Sequence, residues 1–147
     1  MFLEVKKMKK YFKSLFAFIF VFSLFISFSS TNVEAAQKKK YDTWQDVAKD
    51  MNVEFQAAKK YIEEGNYDEA YNAMNKAYFG YYEVQGFEKN VMVNIAAKRV
   101  NEIEATFRRI KHTLKGNIQG NVEELDKEID TLAMKVYKDA MVLDGAA

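Results

Sequence analysis

Residues 36–147 lack most of the side chains that enzymes use as nucleophiles. This part of the chain has no Ser, no Cys and a single histidine, His112, so a Ser-His or Cys-His pair cannot form. It also has no Gly-rich loop of the kind that binds phosphate groups. Two carboxylates can act as acid and base, but nearly every helical protein carries such pairs. We therefore expect this protein not to be an enzyme.

An arginine lies on the apolar side of the third predicted helical segment, residues 87–114. At 100° per residue, Arg99 is about 20° from both Met92 and Ile110, near the centre of the apolar face. A guanidinium there has to reach water or pair with a carboxylate. Glu88 and Thr106 lie near the same edge, and Glu102 is one turn from Arg99. Two interpretations stay open: a polar pocket that holds a cation or orients a ligand, and a structural Arg–Glu pair.

Tyrosines are concentrated in the second predicted helical segment, residues 66–86. Phenolate and carboxylate oxygens are suitable ligands for a hard trivalent ion such as ferric iron. The spacing also fits the core face of a helix, which comprises Tyr67, Ala70, Tyr71, Met74, Ala77, Tyr78 and Tyr81. Phe79 lies about 140° from Met74 and so points away from this face. We interpret Phe79 as a contact for a partner or a membrane-embedded domain, and Glu83, also off this face, as a solvated charge.

Four amphipathic segments with a period near 3.6 carry these residues. They start at Thr43, Asn66, Phe87 and Asn121 and end at Gly65, Gly86, Gly116 and Gly145. Asn66 and Asn121 each precede a glutamate by three residues, which is typical of a capping box. Short links favour antiparallel neighbours, so the sequence predicts an all-α domain, a four-helix bundle or a similar fold.

The first 35 residues have the pattern of a secretory signal peptide. A basic start precedes an apolar run over residues 15–28, and small residues follow before Ala36. The run is short of the roughly 20 residues that a membrane-spanning helix needs. We predict a signal peptide over 1–35, a basic linker over 36–42 and a helical extracytoplasmic domain over 43–145.

Removal of this segment leaves a nearly neutral domain. The first 35 residues hold 5 of the 22 Lys and Arg and 2 of the 21 Asp and Glu, which leaves 17 against 19 and a net charge of −2. A net charge this close to zero gives no overall electrostatic attraction to nucleic acid. The absence of Cys excludes disulfides, thiolate metal sites and covalent haem attachment. Non-covalent haem has only His112 and methionines as axial candidates, and we expect none.

The stretch "GNYDEAYNAMNKAYFGYYEVQGFEKNVMVNIAAKRVNEIEATFRRIK" with the later "DAMVLDG" resembles the extracytoplasmic amino-terminal domain of bacterial high-affinity iron permeases of the Ftr type. The likeness runs over most of residues 44–145. Its strongest elements are "AYFGYYE" (77–83), "GFE" (86–88), "NI" (94–95) with Arg99, and Glu104 with Phe107 and Ile110.

The resemblance implies a role in iron uptake at the outer face of the cytoplasmic membrane, in the periplasm or at the cell surface. The domain would dock to the permease, or to another iron-uptake protein, or bind iron weakly. Under this interpretation the first residues to test as metal ligands are Glu83, Glu88, Glu102 and Glu104, with Arg99 in a polar pocket.

This chain departs from the permeases at its end. In the family, membrane helices with an R-E-x-x-E motif follow the "LDG" segment, whereas this sequence stops at Ala147. We therefore expect a separate outer domain, or the front part of a split permease gene, and not a transporter by itself. A secreted helical interaction module without metal is the alternative, with Phe79 or exposed Lys and Arg as its contacts.

Overall fold

The computed structural model describes residues 39–116 and 120–145, and this part of the chain is all-helical, without strands. It belongs to one compact unit, Ala36–Ala147, which has a hydrophobic core of its own and is therefore expected to fold by itself. The predicted signal peptide and the first residues of the predicted linker lie outside the described residues. The prediction of an all-α, bundle-like fold is confirmed.

The described residues form five helices. They are α1 (Trp44–Glu63), α2 (Tyr67–Asn75), α3 (Phe87–Asn94), α4 (Ala97–Leu114) and α5 (Val122–Leu143). A π-helical segment, Lys76–Glu83, continues α2 directly. The third predicted helix is thus two helices, because Ala96 adopts an extended conformation at the start of α4.

The predicted helix starts are formed as side-chain caps. Thr43 Oγ1 accepts a hydrogen bond from the Asp46 amide at 3.2 Å, and Asn121 Oδ1 accepts one from the Glu124 amide at 2.8 Å. Asn66 caps α2 in the same way. Each bond satisfies an amide that has no partner within its helix, which fixes where the helix begins.

The core forms where α1 packs between α2 and α5, with the π segment and α4 closing it. Its largest fully buried side chains are Tyr82, Phe55, Phe87, Phe107, Met51, Ile62, Met74, Ile103, Ile110, Ile129, Leu132 and Val47. Phe107 lies at its centre, with ring centroids 5.7 Å from Phe55, 5.2 Å from Tyr78 and 5.9 Å from Tyr82. These aromatic contacts join three helical elements, α1, the π segment and α4.

The π segment changes which tyrosine is buried. Its backbone bonds reach five residues back, as from the Val84 amide to the Phe79 carbonyl at 3.2 Å, so it turns less per residue than an α-helix. As a result Tyr82 is fully buried, while Tyr81 is only partly buried against the core. The core face predicted at 100° per residue was wrong in leaving out Tyr82.

Four positions that the spacing places on the apolar faces are exposed instead: Tyr67, Met92, Ala96 and Val122. Tyr67 is 43% exposed in the first turn of α2, and Met92 is 45% exposed because α3 ends before the predicted face is complete. Val122 is exposed at the start of α5. The remaining residues of the predicted α1 and α5 faces are buried or partly buried.

The two ends of the domain are joined by Asp144, which follows α5. Its carboxylate accepts hydrogen bonds from the amides of Trp44 and Gln45, at 2.8 and 2.9 Å. A carboxylate at a helix N-terminus is favourable because it meets free amides and the positive end of the helix dipole. Ahead of α1, Tyr41 donates to Asp50 at 2.7 Å, so this part of the predicted linker lies against the helix. In the described part of the chain, no helix has the length and apolar character needed to cross a membrane.

The central position of Phe107 predicts a large loss of stability on truncation. Phe107→Ala should lower the free energy of unfolding by about 3–5 kcal/mol, because it leaves a cavity among three rings. Urea denaturation of residues 36–147 measures this. The exposed Val53→Ala serves as the control and should change stability by no more than about 0.5 kcal/mol. A loss below about 1 kcal/mol for Phe107→Ala would show that this residue is not in the core.

Candidate functional site

Tyr82 is the centre of the candidate site. The residue is 0% exposed, and its ring lies among those of Tyr78, Phe87 and Phe107, with centroid distances of 5.8, 5.8 and 5.9 Å. Its hydroxyl is buried and has no hydrogen-bond partner among the described residues. A buried polar group without a partner is costly, and most such groups in folded proteins bind a protein group, a water molecule or a ligand.

Carboxylate charges act on Tyr82. The charges that act on Tyr82 come from Glu88 on α3, Glu104 on α4 and Asp139 on α5. Burial is the main cause that raises the pKa of Tyr82, and these carboxylates raise it further. The hydroxyl is therefore protonated at neutral pH, and it lies in a negative environment that favours a cation.

A second tyrosine connects the same carboxylates to the surface. The Tyr78 hydroxyl donates to Glu104 Oε1 at 3.4 Å. Burial, followed by the charges of Glu104, Glu88 and Glu83, raises the pKa of Tyr78 to about 12. Tyr78 and Tyr82 thus present two phenol oxygens to one group of acids.

Glu88 titrates differently from an ordinary surface glutamate. Partial burial, and then the charges of Glu104 and Glu83, raises the pKa of Glu88 above its usual 4.5. Like charges that repel at close range are a common property of cation sites. We name this group of Tyr78, Tyr82, Glu83, Glu88 and Glu104 the acid–phenol cluster.

Of the four predicted metal ligands, Glu83, Glu88 and Glu104 all raise the pKa of Tyr78 through their charges. Glu102 is directed elsewhere, since its carboxylate lies 3.2 Å from Arg99 and 3.9 Å from Lys135. Within residues 39–116 and 120–145, no three His, Cys, Asp or Glu side chains are arranged so that they could hold a metal ion. The acid–phenol cluster is thus an open group of oxygen ligands and not a closed coordination site.

Arg99, predicted to lie in a polar pocket, joins α4 to α5. Its guanidinium contacts Glu102, as the sequence suggested, and also Asp139 Oδ1 at 3.3 Å. Asp139 is 3% exposed, and its second oxygen, Oδ2, has no partner among the described residues. Burial raises the pKa of Asp139, and the nearby Arg99 lowers it by less.

Sequence reasoning missed two of these residues for different reasons. Asp139 lies seven residues after Leu132, about 20° away on a helical wheel, so a carboxylate on the apolar face of α5 was a visible signal. Tyr82 had no such signal, because its burial depends on the π segment.

Phe79 and His112 are placed as the sequence predicts. Phe79 is 50% exposed and points away from the core, with its ring 4.9 Å from that of Tyr78. His112 is exposed on α4. Neither residue belongs to the acid–phenol cluster.

Comparisons with known proteins add nothing to this geometry: no protein-family model, no curated protein and no solved structure matches the chain. The candidate site is therefore defined by the contacts, burial and charges of its own residues.

The unpartnered hydroxyl predicts that Tyr82→Phe is stabilising in metal-free buffer. Removal of a buried donor without a partner should raise the free energy of unfolding by about 1 kcal/mol. Tyr78→Phe is the matched control and should have the opposite sign, because it removes the bond to Glu104. Urea denaturation measures the change in the free energy of unfolding for both variants. A clear loss of stability in Tyr82→Phe would mean that the hydroxyl has a bonding partner.

The Arg99–Asp139 pair predicts a pH-dependent loss of stability. Arg99→Leu leaves a buried carboxylate without its counter-ion and should cost about 3 kcal/mol at neutral pH. Because folding raises the pKa of Asp139, its charge opposes folding increasingly as the pH rises from the ordinary value of an aspartate through the raised pKa, and has no such effect at lower pH, where both states are protonated. The loss in Arg99→Leu should therefore shrink as the pH falls and Asp139 takes up a proton.

Urea denaturation at neutral and mildly acidic pH measures this effect. The double variant Arg99→Leu with Asp139→Leu removes both charges and should regain most of the stability at neutral pH. An equal loss at both pH values, with no recovery in the double variant, would contradict a role for the pair's charges.

Proposed function

We propose that this domain binds iron weakly at the acid–phenol cluster and assists an extracytoplasmic iron-uptake system of the Ftr type. The observation that carries the proposal is the fully buried, unpartnered Tyr82 hydroxyl, surrounded by the charges of Glu88 and Glu104. A cation with a preference for oxygen ligands would satisfy the hydroxyl and relieve the repulsion between the acids.

The chemistry of the ligands favours iron among such cations. Carboxylate and phenolate oxygens are hard ligands, and they suit a hard, highly charged ion. The pKa values of Tyr78 and Tyr82 are raised in the absence of metal, and a bound ion reverses this effect by stabilising the phenolate. The open arrangement of Glu83, Glu88 and Glu104 supports weak, exchangeable binding, which suits a domain that passes iron on.

The resemblance to the outer domain of Ftr-type permeases supports the biological setting. The segment that carries most of this likeness, residues 77–83, is the π segment that places Tyr78, Tyr82 and Glu83. π-Helical segments occur frequently at functional sites. In this proposal the domain follows a signal peptide, lies outside the cytoplasmic membrane and delivers iron to a membrane permease or another uptake protein.

A metal-free interaction module is the second candidate. It is supported by exposed apolar side chains within residues 79–93, namely Phe79, Val84, Met92 and Val93. Exposed apolar residues grouped in one part of a chain are a feature of contact surfaces. In this case Phe79 would contact another protein, and the acids would be solvated charges.

Calorimetric titration of residues 36–147 with Fe³⁺, supplied as its nitrilotriacetate complex, and with Fe²⁺ under argon tests the iron proposal, with Ca²⁺ as the control ion. We expect saturable heat with iron beyond that with calcium. Glu88→Gln and Glu104→Gln should each weaken binding by about tenfold, since each removes an oxygen charge from the cluster. Binding should also weaken as the pH is lowered, because protons compete with the metal ion for Glu88. Since the pKa of Glu88 is raised, this weakening should begin at a higher pH than it would for an ordinary glutamate.

Glu63→Gln is the matched control, because this glutamate is exposed at the end of α1, which carries no residue of the cluster. It should bind iron as the wild type does. No heat above the calcium control would rule out iron binding and would leave docking as the function. An equal loss in Glu63→Gln would mean that only the overall charge attracts the ion.

A further inference from the structure

A cleft lies between α2 with the π segment on one side and α4 on the other. Its volume is about 300 Å³, and it is lined by Tyr71, Tyr78, Glu104, Phe107, Arg108, Lys111, His112 and Lys115. The volume is at the lower end of the range of small-molecule sites, roughly 300–1,000 Å³. The proposed iron ligands Tyr78 and Glu104 form one of its edges, and the rest of the lining is aromatic or basic.

The basic side chains form one face of α4. Arg108 is three residues from Lys111 and four from His112, and Lys115 is four from Lys111 and three from His112, so these pairs are neighbours on the helix surface. Like charges at these spacings destabilise a helix. Part of this cost is offset because the basic groups of the last turn meet the negative end of the helix dipole. The helix dipole does not explain why these basic side chains line a cleft.

Aromatic rings hold two of these cations at the cleft. Lys111 Nζ lies 4.9 Å from the ring centroid of Tyr78 and 5.2 Å from that of Phe79. Lys115 Nζ lies 4.3 Å from the centroid of Tyr71. Such cation–π contacts fix the position of an ammonium group without neutralising its charge.

The positive charge of the cleft is only partly balanced. Lys115 pairs with Asp68 at 2.8 Å, whereas among the described residues no carboxylate lies within ion-pair distance of Arg108 or Lys111. Glu104 is the one acid in the lining, and it accepts the Tyr78 hydroxyl. An arginine fork and an ammonium group close together are the groups that proteins use to bind carboxylate and phosphate oxygens.

We propose that this cleft binds a small organic anion with two or more oxyanion groups, with Arg108 and Lys111 as its main contacts. The partly exposed rings of Tyr71 and Tyr78 would pack against the carbon part of the ligand. This site is distinct from the acid–phenol cluster in charge and ligand class, and it does not depend on iron binding. The two sites share Tyr78 and Glu104, so an anion that chelates iron would contact both.

Titration of metal-free residues 36–147 with citrate, at constant ionic strength, tests this proposal by calorimetry. We expect saturable binding that weakens about tenfold in Arg108→Gln and in Lys111→Gln. Lys98→Gln is the matched control, since Lys98 is an exposed lysine at the other end of the same helix, outside the cleft lining. Circular dichroism of each variant checks that the helices remain folded.

Inorganic phosphate forms a second arm of the experiment. Tighter binding of citrate would identify a polycarboxylate as the ligand type, and equal or tighter binding of phosphate would identify a phosphate group, with the same two residues involved. The proposal would be overturned if neither anion binds saturably at millimolar concentration. It would also be overturned if Lys98→Gln weakens binding as much as Arg108→Gln does.

Discussion

The burial of Tyr82 is the constraint on which both the core and the candidate site depend. Its ring contacts Tyr78, Phe87 and Phe107 and so ties the π segment to α3 and α4. The Tyr82 hydroxyl has no hydrogen-bond partner among the described residues. The charges of three carboxylates, Glu88, Glu104 and Asp139, act on it. The packing that stabilises the fold therefore also creates the polar, negatively charged environment that we interpret as a cation site.

The two proposed sites share one pair of residues. Tyr78 and Glu104 belong to the acid–phenol cluster and also form an edge of the basic cleft. On the cluster side the acids raise the pKa of Glu88, while on the cleft side Arg108 and Lys111 provide positive charge. A surface with adjacent acidic and basic regions can bind a metal ion and an organic anion side by side.

Much of the fold follows from local sequence signals. The caps at Thr43 and Asn121 and the apolar faces of α1 and α5 are set by residues close together in the chain, so they were predictable. The π segment was not, because its wider turn depends on how the aromatic side chains pack against other helices. For the same reason the break at Ala96 and the exposure of Met92 were missed.

The candidate site was predictable only in part. The sequence singled out Glu88 and Glu104 as candidate ligands, and an Arg99–Glu102 ion pair, which the structure contains, was one of the two interpretations that it left open. Asp139 was visible as an acid on an apolar face, but its pairing with Arg99 joins residues far apart in the sequence. No local pattern reports such a contact, because it depends on how α4 and α5 are packed.

A crystal structure of residues 36–147 soaked with iron, with anomalous diffraction recorded at the iron edge, tests the central claim most directly. The account predicts an anomalous peak within bonding distance of the Tyr82 hydroxyl and of Glu88 or Glu104. A structure without iron at this position, in which Tyr82 remains unpartnered or binds only water, would contradict it.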